Sequence, residues 1–346
     1  MTPKIWGTAT AVPPHVVTQE EAVDFARSLF SRSLPETERL LGAFHNAGIQ
    51  RRHLVRPPDW YATPRTFPER NEIYRTTALD LAEEAGRGAI QAAGIDPSRL
   101  GGIVLVSSTG LSTPSLDSVL VQRLGLSRNV GRLPIWGLGC SGGAAGLAHA
   151  ASWVRGNEEP ALLIAVEVCS VTFLREDRRP ANLIATALFA DGAAAAVVGP
   201  EGEGPALLNH HSHLFEDTQD VMGWSLEEEG LGVIFSKSIP GLVREVAPAV
   251  TAAAARRADL EPSDLFHFLL HPGGAKVLTA FADALELEPG RLDLPRRVLR
   301  DYGNMSSATV LFVLHRLLSH SPPSDEPGIL MSLGPGFSAE AVLFRW

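Results

Sequence analysis

Cysteine is scarce in this chain: Cys140 and Cys169 are the only two among 346 residues. Two thiols are too few for a disulfide framework or a cysteine-ligated zinc site, which leaves one reactive thiol as the chemistry to look for. No stretch of about 18 apolar residues runs uninterrupted, as a membrane-spanning helix requires. The opening residues MTPKIWGTATAVPPHVVTQEEA are broken by prolines and lack the continuous apolar stretch of a signal peptide, so a cytoplasmic protein without stable membrane insertion is expected. Long basic runs are missing as well. With 39 acidic against 30 basic residues the formal charge is −9, and no basic stripe interleaved with aromatics is present, so nucleic acid is not an expected partner.

What the chain does have is apolar content, 45% of residues, ample for a large buried core. Helical spacing of alanine and leucine predicts a helix over 77–94, followed by a short β-branched strand at 103–107. The alternation continues with strands at 133–136, 161–168 (ALLIAVEV) and 193–198. After a Gly/Pro-rich patch at 199–205 it starts over: a strand over 206–213, a helix over 241–258, a strand at 265–270, helices over 276–285 and 306–319, and strands at 328–333 and 341–344. This outline is that of an α/β protein built as two similar halves, residues 1–205 and 206–346, without a repeat at the level of residue identity.

Cys140 lies in the run WGLGCSGGAAG (136–146), where an apolar strand meets glycines and then small residues fit for a buried helix. A thiol at such a helix start is expected to ionise more easily, because free N–H groups and the helix dipole favour the thiolate. Most cysteines are small buried hydrophobes, and that packing reading suits Cys169, at the end of the ALLIAVEV strand, better than Cys140. A nucleophilic cysteine needs a partner base from elsewhere in the fold. His271 follows an apolar strand and opens the turn HPGG, a position that faces a crevice in many α/β folds, although a solvated turn histidine is the plain alternative. His210, His211 and His213 cluster more densely, but strand alternation sends neighbours to opposite faces, and no metal site is expected there. Asn304, in DYGNMSS (301–307), is either an ordinary turn and cap residue or a neutral donor to a developing oxyanion.

Together GCSGG, HPGG, YGNMSS and the GPG of Leu333–Gly336 resemble the motif series of the type III, chalcone synthase-like polyketide synthases, in the same order along the chain. The segment ALFADGAA (187–194) is similar to the family's gatekeeper segment, with Phe189 at the gatekeeper position. The resemblance implies a thiolase-like duplicated fold of αβαβα layers, a homodimer, acyl-CoA and malonyl-CoA as substrates, and no metal or organic cofactor. It implies that the Cys140 thiolate, held by His271 as an ion pair, takes the starter acyl group as a thioester, that His271 and Asn304 stabilise the enolate formed as malonyl-CoA loses carbon dioxide, and that the carbanion attacks the thioester. The implied pocket residues are Phe189, Cys169, Thr172, Val233, Trp224, Ser306, Gly334 and Pro335. Arg39, Lys276 and Gly274 fall at implied CoA-binding positions, whereas neutral Asn46 takes the place of another cation.

The segment DVMGWS (220–225) looks more like bacterial members, many of which extend fatty acyl starters into alkylpyrones or alkylresorcinols, and that substrate class is the expectation here. Cys169 beside the pocket also resembles synthases that make tetrahydroxynaphthalene from malonyl-CoA alone, the nearest alternative. A β-ketoacyl-acyl-carrier-protein synthase of the third type fits less well, because the charge of −9 offers no basic docking surface and the GNMSS and GPG motifs point elsewhere. Hydroxymethylglutaryl-CoA synthase would need a glutamate acid in the first half, and residues 69–72 hold no suitable motif. A non-catalytic condensing-fold partner subunit would be free to lose its nucleophile, yet all three chemical positions are filled.

Overall fold

The structure is a computed structural model and describes residues 1–30, 41–319 and 325–346. Thirteen strands occur among these residues: β1 (Lys4–Ala11), β2 (His15–Thr18), β3 (Arg51–Leu54), β4 (Gly102–Val106), β5 (Gly131–Ile135), β6 (Ala161–Val168), β7 (Asp191–Gly199), β8 (Ala206–Leu214), β9 (Met222–Glu227), β10 (Gly230–Phe235), β11 (His267–Leu270), β12 (Pro327–Gly334) and β13 (Ser338–Arg345). Nine of them form one sheet in the order β11-β12-β13-β8-β1-β7-β6-β4-β5.

That order contains the same pattern twice. Outward from the middle, β1-β7-β6-β4 pairs antiparallel, antiparallel and parallel, and so does β8-β13-β12-β11. The first set adds β5, parallel to β4, which has no counterpart among the described residues of the second. The two sets touch through a single residue pair, Lys4 with Ala206.

Side-chain alternation along the strands divides the core into layers. Val104, Val106, Leu163 and Ala165 face a central cluster, while Ile103, Leu105, Leu162 and Ile164 face an outer one. In the second set Leu330, Val342 and Phe344 face the same central cluster, and Ile329, Met331 and Leu343 face another outer one. The helices Gly142–Asn157 and Ser307–Leu318 fill the centre, Phe67–Ala93 covers one outer face, and Ile239–Arg256 and Ala275–Ala284 cover the other. The result is the five-layered, duplicated αβαβα arrangement. The two central helices touch at their starts: a Cβ on Gly143 would lie 2.2 Å from the Ser307 carbonyl oxygen, so only glycine allows this approach.

The helix expected over 77–94 begins ten residues earlier, at Phe67. A capping box sets that start: the Thr66 side chain accepts from the Glu69 N–H, and the Glu69 carboxylate accepts from the Thr66 N–H. Its polar first turns hid it from a reading of apolar spacing. Glu69 is thereby engaged in capping and Glu72 pairs with Arg75, so neither is a spare acid. No described helix is long and apolar enough to cross a membrane. His210, His211 and His213 lie along β8, and no group of three metal-ligating side chains occurs among the described residues.

Candidate active site

The strand-to-helix turn around Cys140 forms as its glycines suggested. Gly139–Ser141 make a single tight turn directly ahead of the helix Gly142–Asn157. Gly139 has φ +47°, and a Cβ there would meet the Pro335 ring at 2.8 Å, so this glycine is required on both counts. Gly334 packs against the same turn, where a Cβ would lie 2.4 Å from Ser141 Oγ and 2.5 Å from the Leu138 carbonyl. Gly334 and Pro335 thus support the Cys140 turn from behind and do not line the cavity beside it. The Cys140 thiol donates to Ser306 Oγ at 3.6 Å.

The helix start does not make this thiol acidic, contrary to the expectation from the dipole. Burial first, and the nearby Glu167 carboxyl with it, push the Cys140 thiol up to about 11, with the Ser306 hydrogen bond pulling the other way. Burial likewise pushes His271 down to about 4. His271 is not a solvated turn residue: it follows β11, its N–H donates to the Met331 carbonyl at 2.8 Å, and it is 4% exposed. Both of its ring nitrogens are buried without a hydrogen-bond partner. Such orphans cost about 1–3 kcal/mol each in a folded protein, so a site that keeps them is one that fills them with something else.

Asn304 is fixed from both sides. Its Oδ1 accepts from the Ser306 N–H at 2.9 Å and its Nδ2 donates to the Gly273 carbonyl at 3.2 Å, which leaves one amide proton uncommitted. Its backbone pairs with the Phe189 segment: Asn304 N–H donates to the Leu188 carbonyl and Ala190 N–H to the Asn304 carbonyl, each at 2.9 Å. The gatekeeper segment and the asparagine turn are therefore one ladder. Cys140, His271 and Asn304 converge on a cavity of about 20 Å³ whose remaining walls are apolar, among them Met222, Phe235 and Leu333.

A second cavity, of about 70 Å³, has Cys169, Thr172, Phe189 and Val233 in its wall, together with Val17, Phe25, Leu54 and Tyr61. Trp224 stands behind this wall, its ring edge-on to Phe189 at 6.3 Å, and is paired with Val233 in the β9–β10 hairpin. Ser306 belongs to the thiol side through its hydrogen bond to Cys140. Lys276 is exposed on the helix Ala275–Ala284, with Gly274 at that helix's start and against Leu188. Arg39 lies outside the described residues.

One functional group escaped the sequence reading. Glu167, wholly buried, accepts from the Ser108 N–H and Thr109 Oγ1 at 2.9 Å and from Ser307 Oγ at 2.5 Å. Ser108 Oγ in turn accepts from Gly137 and Gly139 N–H at 3.3 Å, so this carboxyl ties the nucleophile turn to the second central helix. Burial raises Glu167 to about 7 against these hydrogen bonds. The available signal was a lone charge inside the otherwise apolar ALLIAVEV.

A duplicated five-layered fold with a thiol, an imidazole and a carboxamide around one largely apolar cavity defines an acyltransferase of the thiolase-like class. The family of chalcone and stilbene synthases matches almost the whole chain, its N-terminal domain over residues 4–202 and its C-terminal domain over 207–346. The chain belongs to this family, the type III polyketide synthases. It is 40% identical over 347 residues to a 1,3,6,8-tetrahydroxynaphthalene synthase of Streptomyces peucetius subsp. caesius, covering 97% of this chain and 91% of that protein. It is 31% identical over 359 residues to a 3,5-dihydroxyphenylacetyl-CoA synthase of Streptomyces toyocaensis, covering 99% and 90%. The crystal structure of the tetrahydroxynaphthalene synthase of Streptomyces coelicolor A3(2), a bacterial type III polyketide synthase, superposes with a TM-score of 0.95 at 30% identity, covering 99% of each chain.

Proposed function

We propose that this polyketide synthase extends an apolar acyl starter, delivered as its CoA thioester, by repeated decarboxylative condensation with malonyl-CoA. Cys140 attacks the starter thioester and releases CoA, its proton passing to His271. Malonyl-CoA then enters with its thioester carbonyl against the His271 ring N–H and the free amide proton of Asn304. Loss of carbon dioxide leaves an enolate that these two donors stabilise. The enolate carbon attacks the Cys140 thioester, the carbon–carbon bond forms and the thiolate leaves. No metal or organic cofactor enters these steps. The observation that carries the reading is the pair of unpartnered ring nitrogens of buried His271 in the cavity it shares with Cys140 and Asn304.

The apolar wall of the larger cavity favours an alkyl or fatty acyl starter, and hence alkylpyrone or alkylresorcinol products. The 40% identity to a tetrahydroxynaphthalene synthase, with Cys169 in the cavity wall, favours a second reading in which malonyl-CoA alone supplies every carbon. Residues 1–205 then form the half that brings the nucleophile and 206–346 the half that brings the histidine and asparagine. Lys276, Gly274 and Arg39 take the CoA moiety, in the cytoplasm where CoA thioesters are made. We infer a homodimer across the unpaired edge of β5, around which Leu111, Val119, Leu133 and Trp136 stand exposed.

The test is incubation with malonyl-CoA and a panel of acyl-CoA starters, including none, with products and carbon dioxide followed by mass spectrometry. Starter-dependent products support the first reading, and a starter-free aromatic supports the second. Cys140→Ala is expected to abolish all products and leave the melting temperature nearly unchanged, since it removes one sulfur from a small-residue turn. Condensation by that variant, or no decarboxylation by the wild type with any starter, refutes the mechanism.

A further inference from the structure

The cavity beside Phe189 shares a wall with a neighbouring cleft. That cleft, of about 470 Å³, is flanked by Trp60, Phe67 and Arg65. Tyr61 and Phe173 belong to the walls of both spaces. Tyr61 is 6% exposed, whereas Phe173 is partly exposed and leans on Phe25 at 6.0 Å.

The Tyr61 ring is held at its far end. Its hydroxyl donates to Ser170 Oγ at 2.7 Å, and Ser170 Oγ donates to Asp191 Oδ2 at 2.5 Å. The wholly buried Asp191 also accepts from the Ser170 and Val55 N–H groups, at 2.7 and 2.8 Å. Each hydroxyl proton in this series is committed to the next group, so the phenol has none to give a substrate. Burial, and then the Asp191 carboxyl, raise the Tyr61 phenol above its ordinary value and keep it neutral. A ring that is tethered, neutral and without a spare proton serves as a wall. The same cavity contains Phe189, whose backbone is laddered to Asn304, and Cys169, which lies within electrostatic reach of the Cys140 thiol.

We propose that Tyr61 sets the upper length of the acyl or polyketide chain that the enzyme holds, as the tethered partition between the cavity beside Phe189 and the neighbouring cleft. The proposal rests on the reading that Cys140 carries the chain. Ser170 and Asp191 are positioning residues that keep the ring across the opening. Removing the ring joins the two spaces, and the end of a long chain then lies against Trp60 and Phe67.

The experiment measures acylation of the full-length protein by acyl-CoAs from acetyl to stearoyl, by intact-protein mass, separately from carbon dioxide release. In Tyr61→Ala the ratio of long-starter to short-starter acylation rates is expected to rise at least about tenfold, the discrimination that a methylene or two commands in an apolar pocket. Tyr61→Phe keeps the ring and is expected to stay within about threefold of wild type, a difference below that discrimination. If Tyr61→Ala does not fold, Tyr61→Leu is measured in its place with the same expected direction. A folded variant that takes short starters at the wild-type rate with an unchanged ratio overturns the proposal, as does a shift produced by Phe173→Ala and not by Tyr61. Acylation without carbon dioxide release sinks the condensing function and leaves the length limit measurable, and no acylation of any variant by any starter overturns both.

Discussion

His271→Gln isolates what the imidazole does for the thiol, because glutamine is neutral, polar and close to histidine in size. Burial, with the Glu167 carboxyl adding to it and the Ser306 hydrogen bond acting against it, sets the Cys140 thiol near 11, so without its partner about one molecule in 10⁴ is a thiolate at pH 7. The imidazole, at about 4, is neutral at the same pH and free to accept that proton. Neither charge is stable alone in this cavity, and each can exist only with the other, so thiolate and imidazolium form together at the moment of attack. General-base assistance of this kind is worth about 10²–10⁴-fold. The rate of iodoacetamide alkylation at Cys140, located by peptide mass, is therefore expected to fall at least about 100-fold in His271→Gln at pH 7. The variant's rate should then climb about tenfold per pH unit toward 11, as for a lone thiol. The wild-type rate should level off far lower. Equal rates at pH 7, or parallel pH profiles, would show that burial does not set the thiol and that the imidazole does not take its proton.

Two further substitutions test the energetic cost of the site. His271→Leu removes two orphaned ring nitrogens, and it is expected to abolish product while raising stability by about 2–6 kcal/mol, read as a higher urea midpoint at unchanged slope; a lower midpoint counts against the orphan argument. Glu167, raised from 4.5 to about 7, contributes stability that is present below 4.5 and lost as pH rises through 7. Glu167→Gln has no such proton, so between pH 4.5 and pH 8 it should gain roughly 3 kcal/mol relative to wild type in urea titrations; parallel stability curves would contradict a protonated, buried carboxyl.

Legibility in the sequence followed burial. The strand Ala161–Val168 was readable to the residue, because all eight of its side chains are buried and its apolar run has sharp ends. The hairpin β9–β10 was not, since β9 is half-buried apart from exposed Leu226 and shows neither a clean alternation nor a continuous apolar run. Cys140, His271 and Asn304 stood out through their local turns, which glycine and proline mark in any context. Their ionisation did not, because desolvation depends on what packs over them from distant segments: Met222 and Phe235 of the hairpin and Leu333 of β12 close the cavity. The same holds for Tyr61, whose partners Ser170 and Asp191 lie more than a hundred residues away.

The duplicated topology explains why three residues so far apart in sequence meet. β4 and β11 hold the same place in the two strand sets, each parallel to the strand that precedes the antiparallel step. Just past their ends stand Ser108 and His271 respectively. The helices Gly142–Asn157 and Ser307–Leu318 are likewise the central helix of each half, and just ahead of their starts stand Cys140 and Asn304. Each half therefore directs one strand end and one helix start at the central layer, and the contact of Gly143 with Ser307 brings the two helix starts to the same point. Chemistry then diverges between equivalent places. The first half uses its strand end for a hydroxyl that holds Gly137 and Gly139, and its helix start for the Cys140 thiol. The second uses its strand end for the imidazole and its helix start for the carboxamide. Glu167 joins the Ser108–Thr109 segment of one half to Ser307 of the other, so a single buried carboxyl fixes how the two contributions face each other. The Cys140 thiol on one strand-and-helix set and the His271 and Asn304 side chains on the other, joined through that carboxyl, are all buried without any one loop having to carry them.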